Sequence, residues 1–85
     1  MPVLFQNKPN PFTGNTTINY FVPASAKSAI LQIVNQQGLI ISTIQLTTGS
    51  GNIEIDATQL NSGLLTYSLI VDEKIIATKQ MMLTK

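Results

Sequence analysis

Apolar residues recur at every second position of this chain, in short runs cut by turn residues, and that pattern leaves β-sheet as the open choice. Thr16 to Val22 alternates cleanly, with Ile18, Tyr20 and Val22 on one side and Thr17 and Asn19 on the other. Ser28 to Asn35 repeats the pattern with Ala29, Leu31 and Ile33, and Asn52 to Asp56 repeats it with Ile53 and Ile55. Leu65, Tyr67, Leu69 and Val71 line one face of a further strand. Ile75 to Leu83 closes the series, with Ala77, Met81 and Leu83 on one face. No run of useful length has the 3.6-residue period of a helix. The abundance of Val, Ile and Thr favours strands for the same steric reason.

The segments between these runs are turn chemistry. Asn7 to Asn15 holds Pro9 and Pro11, which fix φ and push their predecessors toward extended shapes, so this segment cannot be a central strand. Pro23-Ala24-Ser25, Gln36-Gln37-Gly38 and Thr48-Gly49-Ser50-Gly51 read as turns. Ala57 to Gly63 reads as a corner with Leu60 turned into the core. Asp72-Glu73-Lys74 reads as a tight hairpin without glycine. Leu39 to Leu46 is a strand of poor alternation, which a bulge or burial on both faces would explain. With Val3 to Gln6 as a brief start, the count is about seven strands, with turns every 8–12 residues or so. The expectation is an all-β, immunoglobulin-like antiparallel β-sandwich.

Eighty-five residues are one domain's worth, 1–85, with a thin core. Met1 reads as an added start residue before Pro2-Val3-Leu4. With no cysteine, the core alone must hold the fold. No apolar run is long enough for a transmembrane segment, and no signal peptide is visible. The basic residues Lys8, Lys27, Lys74, Lys79 and Lys85 are scattered, and arginine is absent. Nucleic acid is therefore excluded as a partner, because phosphate binding needs clustered cations.

Catalytic chemistry finds no footing. Without histidine the commonest general base and metal ligand are missing. Without cysteine there is no closed zinc site. No Gly-x-Ser-x-Gly is present, and Ser50 is a turn residue. Glu54 and Asp56 share one strand face, but the isoleucines between and before them take the core, so the pair reads as a solvated face. Asp72 and Glu73 at a hairpin tip offer too few oxygens for calcium. Tyr20 and Tyr67 fall on inward faces, which leaves Phe21 as the aromatic expected to be exposed. The chain reads as no enzyme, with no metal and no cofactors.

A resemblance supplies what the sites do not. Leu4-Phe5-Gln6-Asn7-Lys8-Pro9-Asn10-Pro11-Phe12, then Thr16-Thr17-Ile18-Asn19-Tyr20, resembles the opening of the type A carboxy-terminal sorting domain of the bacterial type IX secretion system. Gln37-Gly38 with Ile41 and Ile44 resembles that family's glycine turn and strand, and Asp56-Ala57, Leu60 and Ser62-Gly63 its corner. Thr78-Lys79-Gln80-Met81-Met82-Leu83 resembles its closing run. Two positions depart. Leu65 stands where the family usually has an aromatic, and Leu39 where an arginine is common.

The resemblance implies a carboxy-terminal secretion signal fused behind an amino-terminal cargo protein. The type IX translocon would recognise it, and a sortase-type signal peptidase would remove it at a site before Val3. Its path would run through the periplasm to the cell surface or outside. On this reading the last strand, Thr78, Lys79, Gln80, Met81, Met82, Leu83, Thr84 and Lys85, is the recognition element, with an open edge to which a partner adds a strand. Such an edge would also allow a dimer. Pro9, Asn10, Pro11 and Phe12, with Gly38 and Gly63, are expected to be structural, the prolines fixing the first turn. The alternatives are an immunoglobulin-like accessory binding module of a cell-surface protein, or a repeat of a surface adhesin. A sorting domain sits last in its precursor, an accessory module anywhere, and a repeat in tandem.

Overall fold

A computed structural model describes residues 1–84. Seven antiparallel strands form two sheets. The strands are β1 (Val3–Leu4), β2 (Asn15–Val22), β3 (Ala29–Val34), β4 (Ile40–Gln45), β5 (Gly49–Asp56), β6 (Gly63–Val71) and β7 (Lys74–Leu83). One sheet runs β1-β2-β5 and the other β4-β3-β6-β7. The two pack as a sandwich, as the alternation predicts.

The inward faces are the expected ones. Ile18, Tyr20 and Val22 face Ala29, Leu31, Ile33, Leu65, Tyr67, Leu69, Val71, Met81 and Leu83, all buried. Burying a large apolar side chain contributes about 1.5–3 kcal/mol, so these rows carry the fold. Leu65 is fully inside, and the family's aromatic position keeps its packing role. Leu60 packs against the core from the corner without being fully buried. Phe21 is half-buried beside β1, and the exposed aromatic is instead Phe5, at 50%.

The strand at Leu39 to Leu46 is bulged. The pairing steps from Ile33↔Ser42 to Val34↔Ile40, so one extra residue enters β4. Burial on both faces does not occur, since Leu39 is 63% and Ile40 59% exposed. A second bulge lies in β7, where pairing steps from Leu69↔Ala77 to Ile70↔Ile75.

The expected turn at Thr48 to Gly51 is corrected. Gly49, Ser50 and Gly51 are already strand, paired with Val22, Phe21 and Tyr20. The Tyr20 ring lies over Gly51, and a Cβ there would stand 2.5 Å from Tyr20 Oη. At Gly51 glycine serves close approach, whereas Gly49 starts β5 at φ 94°.

The hairpin at Asp72-Glu73 is as expected. Both residues have positive φ, 50° and 69°, as a two-residue turn between right-twisted strands requires. Asp72 Oδ1 accepts from Lys27 N–H (2.8 Å) and Ser28 N–H (3.0 Å), and its own N–H donates to Ser28 O (2.9 Å). These bonds hold a left-handed aspartate where glycine would be easier.

Candidate functional site

The closing strand and the opening Gln6–Phe12 segment meet at one edge of the sandwich. β7 pairs only with β6, so its other side is a sheet edge. Along it Met81 and Leu83 point into the core and are buried, while Thr78, Gln80, Met82 and Thr84 are exposed. Lys79 sits at an inward position opposite Tyr67 and is half-buried. An inward-pointing lysine on an edge strand discourages indiscriminate strand addition. Ser68 Oγ and Thr78 Oγ1 share a hydrogen bond of 2.9 Å across the outer face. Lys85 lies outside the described residues.

The edge is not open along its length, unlike the expectation from sequence. Phe12 N–H donates to Met82 O (2.9 Å) and Thr84 N–H donates to Phe12 O (2.9 Å), a short parallel bridge between the two ends of the chain. Met82 N–H donates to Asn10 Oδ1 (2.9 Å). Gln6 Nε2 donates to Gln80 O (2.6 Å). The opening motif therefore covers the last part of β7, and the uncovered stretch of edge is centred on Thr78. The segment leaves β1 and crosses to the opposite sheet, with Phe12 in the core at 1% exposure; the Lys8–Pro9 and Asn10–Pro11 bonds within it are cis.

A buried polar network anchors this crossing. Asn7 N–H donates to Tyr67 Oη (2.8 Å), and the Tyr67 hydroxyl donates to Phe5 O (2.9 Å). Asn7 Nδ2 donates to Pro9 O (3.0 Å) and to Thr16 Oγ1 (3.0 Å), whose own hydroxyl donates to Pro9 O (2.8 Å). Gln6 Nε2 also donates to Asn7 Oδ1 (2.7 Å). Among the described residues no buried side-chain polar atom lacks a partner. The opening motif contains Gln6 and Asn7, but the sequence does not show their bonding role or that of the Tyr67 hydroxyl. The available signal was amide side chains crowded against prolines, where the backbone cannot bond to itself.

Burial holds the Tyr67 phenol above its ordinary value of 10.0, and the Asn7 N–H it accepts pulls weakly the other way. A raised folded pKa means that the associated stability is fully present below the unfolded value and is lost as pH rises through the folded one. The domain is therefore expected to unfold more readily only above about pH 10. Tyr67→Phe is expected to cost about 1–3 kcal/mol near neutrality, because Asn7 N–H and Phe5 O lose their partner. It should also blunt the alkaline loss. Urea midpoints of both proteins at neutral and alkaline pH check this, and parallel pH curves would contradict it.

The remaining singled-out residues lie in turns, at a strand start or on an exposed strand face. Asn35 Oδ1 accepts from Gln37 N–H (2.9 Å) and Leu39 N–H (3.0 Å), closing a turn in which Gly38 takes φ 83°. That left-handed conformation is where glycine is easiest. Gly63 opens β6 beside Gln36. Glu54 and Asp56 are exposed, and Asp56 Oδ1 accepts from Thr58 N–H (2.9 Å) to cap the short 3-10 turn Ala57–Gln59. No group of three or more His, Cys, Asp or Glu side chains suited to a metal occurs among the described residues.

Residues 8–84 match the family described as the secretion system C-terminal sorting domain. No curated protein and no solved structure matches the chain.

Proposed function

The chain belongs to the type IX secretion system C-terminal sorting domain family, a non-catalytic secretion signal for passage across the outer membrane, and from that membership we propose how the signal is read. Residues 1–85 act as one sorting unit behind an amino-terminal cargo. The translocon reads the folded domain at the outer face of β7, through the side chains of Thr78, Gln80, Met82 and Thr84, with Lys85 beyond them in sequence. A sortase-type signal peptidase then releases the cargo to the surface or the medium.

The observation that carries this reading is the division of labour along β7. Met81 and Leu83 lock the strand into the core, and Thr78, Gln80, Met82 and Thr84, which alternate with the inward positions, stay outside. A pre-ordered strand loses little entropy when a partner docks on it. Thr78, Gln80 and Met82 also bear no charge, so a partner docks on neutral side chains without ion desolvation.

The test uses variants that leave the core alone. Thr78→Arg, Gln80→Glu and Met82→Asp together change only exposed side chains, and such changes usually shift stability by no more than about 0.5 kcal/mol each. A reporter carrying a periplasmic signal and residues 3–85 is expressed with and without a working type IX machine. The unaltered domain is expected to export only with the machine. The triple variant, still folded, is expected to export at least about tenfold less, the loss of a central contact cluster. Full export of the folded variant would move recognition away from β7.

A further inference from the structure

The sandwich is one strand short on the side opposite β7. Four strands lie on three, and β4 overhangs the smaller sheet. None of its six residues is fully buried, whereas its neighbour β3 buries three. Beneath the overhang lies a cavity of about 320 Å³ between β4 and the free edge of β5. Its apolar lining comes from Ile33, Ile41, Ile44, Ile55 and Leu60. A second cavity of about 250 Å³ adjoins it and shares Ile41 and Leu60.

The β5 edge faces this slot with the backbone groups of Asn52 and Glu54. Thr17 bonds through both N–H and C=O to Lys8, and Asn19 O accepts from Phe5 N–H, so these residues of β2 face away from β5. By alternation Thr16, Ile18 and Tyr20 bond to their β5 partners Ile55, Ile53 and Gly51. Asn52 and Glu54 then turn their N–H and C=O groups to the empty side. Their side chains stand on the solvent face, while Ile53 and Ile55 point inward. Glu54 has Thr17 as its neighbour on one side and no neighbour on the other. No lysine lines either cavity.

The geometry points to a strand-accepting slot beside β5, whose occupant is an extended partner segment with apolar residues alternating around a basic one. Backbone bonds to Asn52 and Glu54 hold the segment in register. Its inward side chains enter the isoleucine-lined cavity. Its outward residue beside Glu54 is lysine or arginine, because an opposite charge directly across a strand pair is favoured and a like charge is not. The product is a sandwich of four strands on four, with the overhang of β4 covered. This slot is on the far side of the domain from the β7 edge, and its occupancy does not depend on what reads β7.

Three capped peptides test the slot. The first has isoleucine and valine alternating with threonine, with lysine at the central outward position. The second has glutamate in place of that lysine. The third is the lysine peptide N-methylated on the amides that would face β5. Amide chemical shifts of the whole chain report the binding. The lysine peptide is expected to move Asn52, Glu54, Ile41, Ile44 and Leu60, and to bind about threefold more tightly than the glutamate peptide, the scale of a cross-strand charge pair. Glu54→Lys is expected to reverse that order, and N-methylation to abolish binding. The charge comparison on the unaltered protein stands even if the variant folds poorly. No shifts at millimolar peptide, equal binding of both charges, or shifts on β7 in place of β5 would overturn the slot. Dilution-dependent shifts of the same residues without peptide would assign it to a second copy and overturn the partner segment.

Discussion

Phe12→Ala is expected to remove about 3–5 kcal/mol of stability, the range for truncating a buried aromatic. The ring is 1% exposed and its backbone clasps β7 at Met82 and Thr84. The backbone bonds remain possible in the variant, but nothing then holds the segment against the core. Domains of this kind have only about 5–15 kcal/mol in total, so the loss is a large fraction. The urea midpoint should fall sharply while the slope stays near that of the unaltered domain. A loss below about 1 kcal/mol would mean that the Pro-Asn-Pro-Phe segment is dispensable to the fold and that its position in the core is incidental.

Ending the chain after Gln80 is expected to abolish cooperative folding. The cut removes Met81 and Leu83, both essentially unexposed, and leaves Gly63, Leu64 and Leu65 of β6 without their ladder partners. Each lost side chain costs about 2–5 kcal/mol before the backbone bonds are counted, and together they approach the whole stability of a small domain. Near-UV circular dichroism and amide dispersion should collapse. A truncated domain that still unfolds cooperatively would show that the closing residues are packed less tightly than their burial implies. The consequence for secretion is direct. Export lost on truncation reports unfolding as readily as loss of an address, and surface variants at Thr78, Gln80 and Met82 are the sharper probe.

The covering of β7 changes how its edge is understood. Gln6, Asn10 and Phe12 occupy the backbone groups that a strand-adding partner would use near Met82. A partner that docks on the outer face leaves this cover in place, whereas one that pairs with the whole edge must displace it. The opening motif and the closing motif are therefore one structural unit.

Much of this was legible from residue order. Strict alternation placed Ile18, Tyr20, Leu31, Tyr67 and Met81 inside, because a period-two apolar row buries itself on one face whatever lies beyond it. The irregular Leu39-Ile40-Ile41 run announced either a bulge or burial on both faces, and only the pairing with β3 decides for the bulge. Gly49-Ser50-Gly51 misled, because local composition reads glycine as a turn and does not see the Tyr20 ring that needs the space at Gly51. The chain order also concealed the bonds from Gln6 and Asn10 to β7, which join residues 74 and 72 positions apart. No local period marks such a contact. It exists because the two sheets stack with β1 beside β7, which brings the first turn against the last strand, and the same three-on-four stacking leaves the slot beside β5. Alternation and composition, which act over a few residues, thus determined most of the strands and their inward faces. Which edges are covered and which stay bare was decided only when the sheets met, because edge pairing depends on what each sheet lacks and not on any one strand.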